Sequence, residues 1–169
     1  MLSYTTLPEG AARGAVIASY VPLQAPEPTS TFIRIFLYNL GLAVTSITIA
    51  NLLKVKGYPL GYLLLLYHWF LYGIFLGTNS FMIPSVNKLF PSLATLFNGS
   101  GIYEITSYTI IAAATYGVGV SIEGLGSSGK ETRLLENFRL SKAELATIIF
   151  AILLLAVANY FEALQLFHQ

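Results

Sequence analysis

F-N-G-S-G-I-Y-E-I-T-S-Y-T-I-I-A-A-A-T-Y-G-V-G, residues 97–119, is the stretch around which the rest of the chain is read. A glycine-rich break runs into an apolar helix of small residues, and Glu104 sits just inside its start. Small residues let helix backbones approach closely, so this helix belongs at the centre of a bundle rather than against lipid. Three other long apolar stretches surround it.

Composition sets the solvent. Hydrophobic residues make up 55% of the 169 and charged residues 10%, against the roughly 25% charged that soluble domains carry. Such a surface needs lipid to cover part of it. The net charge of +1 and the absence of a long basic block exclude a nucleic-acid role. With no Cys, disulfides, thiolate metal sites and cysteine nucleophiles are all excluded. Pro8, Gly10 and Arg13 interrupt the start of the chain, so no cleavable signal peptide is expected.

The expected architecture is an all-α membrane bundle in one domain, residues 32–169, preceded by an extended arm, residues 1–31. Prolines 8, 22, 26 and 28 keep the arm from forming a long helix. Four spans are predicted, at about residues 32–53, 60–83, 102–120 and 142–166. In the first, Arg34 can reach the headgroups and Asn39 lies two turns in. The second carries no formal charge, and Gly73 and Gly77 have the spacing of a close helix contact. Ala113 and Gly117 repeat that spacing in the third. Ser141 and Glu144 form a capping box at the start of the fourth, whose far end holds Asn159, Tyr160, Phe161 and Glu162. Residues 84–99 are expected to form a re-entrant or interfacial segment, and residues 130–140 a short helix on the membrane surface. Lys54, Lys56, Lys130, Arg133, Arg139 and Lys142 outnumber Arg13, Arg34 and Lys88, which puts both termini outside.

Several positions resemble the stage II sporulation protein M family of integral membrane proteins. They are Phe36-Leu37-Tyr38-Asn39 followed by Ala43, Tyr72-Gly73 followed by Gly77, and Gly101-Ile102-Tyr103-Glu104 followed by the small-residue run 112–117. The likeness covers about residues 32–120. It departs from the family pattern at Ser100, where the family usually has His, and at Tyr72, where it often has Asn. The resemblance implies an all-helical, non-enzymatic membrane protein that works with partners.

Three intramembrane polar residues stand out: Asn39, His68 and Glu104. A carboxylate at mid-membrane costs about 2.5–3.5 kcal/mol, so such groups tend to face the interior and mark ion paths or interhelical locks. A blander reading also fits Glu104, which lies near its helix start and can complement the positive end of that helix. Asn39 and Glu104 either pair or make two unrelated contacts. His68 reads as a neutral histidine bonded inside the bundle, with a proton relay as the alternative. No second His or carboxylate lies at ligand spacing, so neither a metal nor another cofactor is expected. Nucleophile and phosphate-loop motifs are absent, so no catalytic residues and no enzyme are expected. The expected function is a structural or assembly subunit of the cell membrane. It would pack against copies of itself or other membrane proteins through Gly73, Gly77, Ala113 and Gly117. The alternative is a transporter or channel subunit with a polar path lined by Glu104, Asn39 and His68.

Overall fold

In the computed structural model, which describes residues 1–12, 27–80, 90, 92–97, 99–121 and 139–167, the first long helix opens on Pro28. Proline at the first helical position loses no hydrogen bond and presets φ, so the helix begins there rather than at residue 32. The preceding Glu27 is extended, as a residue before proline prefers. This helix α2 (Pro28–Tyr38) runs through a π-helical turn, Asn39–Val44, into α3 (Thr45–Asn51). A π turn loosens the carbonyl ladder. Thr45 holds the Leu40 carbonyl twice, through its backbone N–H and through its hydroxyl, which donates at 3.0 Å.

After α3 the chain makes a small hairpin, β1 (Leu53–Val55) with β2 (Tyr58–Pro59). Lys56 (φ 50) and Gly57 (φ 82) both take left-handed backbone, as a two-residue hairpin turn of the primed type requires. Helix α4 (Gly61–Thr78) follows and stops at Asn79, whose left-handed backbone (φ 52) turns the chain away. The second predicted span therefore ends five residues earlier than its expected limit; residues 81–83 lie outside the described residues. A short helix α5 (Leu93–Phe97) is what the structure describes of the predicted re-entrant segment; most of residues 81–91 lie outside the description.

The helix of the third predicted span is shorter than expected. Helix α6 (Gly101–Ala114) has 14 residues, about 21 Å at roughly 1.5 Å per residue, whereas a hydrocarbon core is about 30 Å thick. Beyond Ala114 the chain turns. Gly119 (φ +121) lies directly on the Asn51 and Leu52 carbonyls, where a Cβ would have no room. Strand β3 (Val120–Ser121) then pairs in parallel with β1, Leu53 opposite Val120. The sheet order is β2-β1-β3. The fold is mostly helical but not purely so, because this small sheet ties together the segments that follow α3 and α6 at one end of the bundle.

Helix α7 (Lys142–Phe167) is the longest. Its capping box forms as the sequence predicts: Ser141 N–H donates to Glu144 Oε2 at 2.6 Å, and Glu144 N–H donates to Ser141 Oγ at 3.2 Å. The predicted surface helix over residues 130–140 falls almost wholly outside the described residues.

Helix α7 packs along both α2 and α6, and α4 packs on α3 and α6. The core between them holds Val44, Ile47, Ile105, Tyr108, Ile111, Ala112, Ala151 and Leu155. Ala112, Ala151 and Ala163 are wholly buried and let the helices come close. Leu63, Leu66 and Phe70 on α4, and Leu145, Ile149, Leu153 and Val157 on α7, face outward. Among the described residues, three helices are long and apolar enough to cross a membrane: Pro28–Asn51, Gly61–Thr78 and Lys142–Phe167.

The arm is corrected. Its start is not extended: residues Leu2–Thr6 form helix α1, which lies on α4. Ser3 Oγ donates to the Gly73 carbonyl at 2.9 Å, and Gly10 N–H donates to the Thr78 carbonyl at 2.6 Å. Residues 13–26 lie outside the described part.

Candidate functional site

The polar residues that belong together come from three helices. Asn39 opens the π turn, halfway along the 24-residue helix Pro28–Asn51. Glu104 is in the first turn of α6. Asn159 and Glu162 lie on one face of α7, one turn apart. A single nitrogen joins three of them: Asn39 Nδ2 donates to Glu104 Oε1 at 3.1 Å and to Asn159 Oδ1 at 3.1 Å. Glu162 faces Glu104, the two carboxyls being close enough to act on each other, with Ser100 beside Glu162.

Local structure explains how these groups meet. Gly101 has no side chain, so the Tyr72 ring of α4 lies directly on its Cα and the start of α6 sits tight against α4. That brings the first turn of α6 inside the bundle, some way below the end of α4 at Thr78. Phe32 and Tyr160 meet edge to face at 5.8 Å, which fixes the start of α2 beside the end of α7. Asn39 lies two turns further along its helix, and Asn159 is the neighbour of Tyr160 on α7.

The electrostatics of this cluster are unusual. Two carboxylates in contact repel strongly, and a hydrogen bond between two carboxyls exists only if one carries a proton. Among the described residues no Lys or Arg reaches either carboxyl. Asn159 is wholly buried, and its Nδ2 has no hydrogen-bond partner. Leaving a buried amide unpaired is costly. Two phenols, Tyr72 and Tyr108, lie near Glu104, and Tyr38 lies near Tyr108.

His68 joins the edge of the cluster. Its ring meets the Tyr108 ring at 5.6 Å, and its Nδ1 lies 2.7 Å from the Leu64 carbonyl. A carbonyl only accepts, so Nδ1 carries a proton and donates it to Leu64. His68 therefore touches the cluster through Tyr108 rather than by bonding Glu104 directly.

The four small residues expected to make close helix contacts are not brought together. Gly77 is covered by the chain's own α1, with Ser3 and the Tyr4 backbone where a Cβ would lie. Gly73 is exposed, with open space beside its Cα and its carbonyl bonded by Ser3. Ala113 is exposed near the end of α6. Gly117, beyond that end, is exposed too, with Glu144 Oε1 3.4 Å from where a Cβ would lie. The close backbone approaches lie elsewhere, at Gly61 against Asn51 and the Ile47 carbonyl, and at Gly101 against Tyr72. Asn51 pins the opposite end of the bundle: its Nδ2 donates to the Ala112 carbonyl at 3.0 Å and to Thr115 Oγ1 at 2.6 Å.

Sequence reasoning identified Asn39, His68 and Glu104 but missed Asn159, Glu162 and Ser100 as members of the site. The signal for two of them was present. Asn159 and Glu162 are one turn apart in an otherwise apolar helix, which places both on the face that avoids lipid. Among the described residues no three His, Asp or Glu side chains gather as a metal site would need. No protein-family model, no curated protein and no solved structure matches this chain.

Proposed function

We propose that this protein is a multi-pass subunit of a membrane transport system that crosses the bilayer four times. In this reading Glu104, Glu162 and Asn39 handle a proton or another small cation inside the bilayer. The carrying observation is the carboxyl–carboxyl contact between α6 and α7 with no basic side chain among the described residues to neutralise it. Intramembrane ionisable groups are expensive, and a bundle needing only cohesion would be served by apolar packing at lower cost. Their depth supports the reading. Glu162 is about 7.5 Å from the end of α7 at roughly 1.5 Å per residue, below the headgroups of a bilayer flush with that end. His68 extends the polar line through Tyr108 toward the outer face of α4.

The fourth crossing is part of this proposal. Helix α6 is short, but it begins beside Tyr72 and its following strand pairs with the strand after α3. The segment from Gly101 to Ser121 thus leads from beside Tyr72 to the sheet at the far end of the bundle, which supports a fourth crossing. The predicted orientation, with both termini outside, and the likeness to the stage II sporulation protein M family belong to the same proposal. The segment Gly101–Glu104, one of those that carry the likeness, supplies one of the two carboxyls.

A second reading, an assembly subunit, is favoured by a different observation. The most apolar windows of the three long helices are only 19%, 22% and 22% buried within the chain. Copies of the chain or other membrane proteins can take some of the face left to lipid. Flux separates the two readings. Purified protein in proteoliposomes should show a proton- or cation-dependent flux that Glu104→Gln abolishes. Flux that persists in Glu104→Gln rejects the carboxyl as its carrier, and a membrane complex with no flux of its own favours the assembly reading.

A further inference from the structure

The orphaned Asn159 amide points to what the cluster binds and how it registers occupancy. In the arrangement described, Asn39 offers its nitrogen to Glu104, so Glu104 acts as acceptor there. Asn159 accepts from the same nitrogen and leaves its own Nδ2 unpaired in a wholly buried position. An amide nitrogen carries two protons to satisfy, whereas an under-satisfied carbonyl is the cheaper orphan. Turning both amides over gives a second arrangement on the same heavy-atom positions. The Asn39 oxygen then faces Glu104 and accepts from Asn159 Nδ2, and the unpaired buried position beside Asn159 is taken by its carbonyl instead of its nitrogen. That arrangement places two oxygens, those of Asn39 and Glu104, against each other, and is stable only when a proton lies between them.

We infer that the Glu104–Glu162 pair is a two-proton site whose occupancy is read by a joint inversion of the Asn39 and Asn159 amides. The inference rests on the transport reading and names its ligand as the proton. With one proton, Glu162 and Glu104 share it, Glu104 accepts from the Asn39 nitrogen, and the cluster carries one negative charge. A second proton, delivered by hydronium and leaving water behind, forms an O–H bond on the Glu104 oxygen that faces Asn39. The carboxyl then donates to the Asn39 oxygen, both amides turn, and the cluster is neutral. Loss of that proton to water reverses each step. Neutrality makes the doubly protonated form the one that an apolar bundle tolerates best. The other titratable or polar groups facing the pair are Tyr72 from α4, Tyr108 from α6 and Ser100 before α6, with Tyr38 of α2 and His68 of α4 behind Tyr108. None of these is a Lys or Arg.

The test is infrared difference spectroscopy of the full chain in liposomes, with asparagine side chains isotope-labelled, taken as the pH is stepped. In the wild type the labelled amide band moves together with the band of the protonated carboxyl. In Glu104→Gln the introduced amide nitrogen donates to Asn39, as protonated Glu104 would. This variant is therefore expected to hold the asparagine amide band at the wild type's acid position at every pH. Asn159→Leu keeps both carboxyls and removes one amide of the relay, so the carboxyl band should still titrate while the amide change shrinks to the contribution of Asn39 alone. Glu162→Gln should halve the proton uptake of the site. An amide band that never moves with pH in the wild type overturns the inference, as does one that still moves in Glu104→Gln. Proton uptake with coupled bands but no flux across the vesicles would overturn the transport reading and leave the relay standing. Flux without the coupled bands would overturn the relay alone.

Discussion

Asn39 bonds two partners on two other helices with one nitrogen, so its loss should be felt at both. Interhelical hydrogen bonds inside membranes average about 0.6 kcal/mol each, so Asn39→Leu should destabilise the protein by roughly 1 kcal/mol. Detergent-titrated unfolding of the purified chain would measure it. A change near zero would mean that Glu104 and Asn159 find other partners. The same residue shows what could be read in advance and what could not. A polar side chain in an apolar helix is visible at once, and so is Glu104. Their pairing is not visible, because it depends on the π turn at residues 39–44 and on Tyr72 seating the start of α6 over Gly101. Neither feature has a period or a motif. Glu162 was readable by its spacing from Asn159, but nearness to the chain end made it look like an interface residue.

At the scale of elements, helix starts were easier to read than helix ends. The capping box at Ser141 and Glu144 has a pattern of its own, and α7 begins where that pattern puts it. Ser141→Ala should cost about 1 kcal/mol of helix stability, measurable as faster amide exchange over the first turn of α7. Helix α6 ends before its apolar run does, because Gly119 and the parallel pairing of Val120 with Leu53 are tertiary events. The hairpin around Lys56 and Gly57 carried a short-range signal, yet it was read as the end of a span because the lysines mark the interface as well. Gly77 teaches the converse. Its spacing from Gly73 suggests a helix contact, and the contact exists, but the partner is the chain's own α1. Gly77→Leu should therefore release α1 rather than dissociate a complex. A cysteine placed at Ser3 in this cysteine-free chain should become open to alkylation, while the helical bundle keeps its thermal midpoint. Protection unchanged from the parent would contradict the α1–α4 contact.

For the whole molecule, the membrane character was legible because it follows from composition, and three helices have the length to cross. The fourth crossing, by contrast, has to be tested. Lys54 lies over the Tyr116 ring at 5.2 Å, and Gly117 approaches Glu144, so the ends of α3, α6 and the start of α7 gather at one end of the bundle. Single cysteines at Lys54 and Lys142 should react with an impermeant reagent from one side of the membrane, and a cysteine at Leu2 from the other. Labelling of all three from the same side would exclude four crossings. The proposed site depends on α6 and α7 bringing Glu104 and Glu162 into contact inside the bundle. The most direct measurement replaces both with cysteine and oxidises the protein mildly in its native membrane, with a protease site inserted in the connector of residues 122–138. The two fragments should stay joined after cleavage and separate on reduction. Fragments that separate without reduction, from protein that is otherwise folded, would contradict that contact.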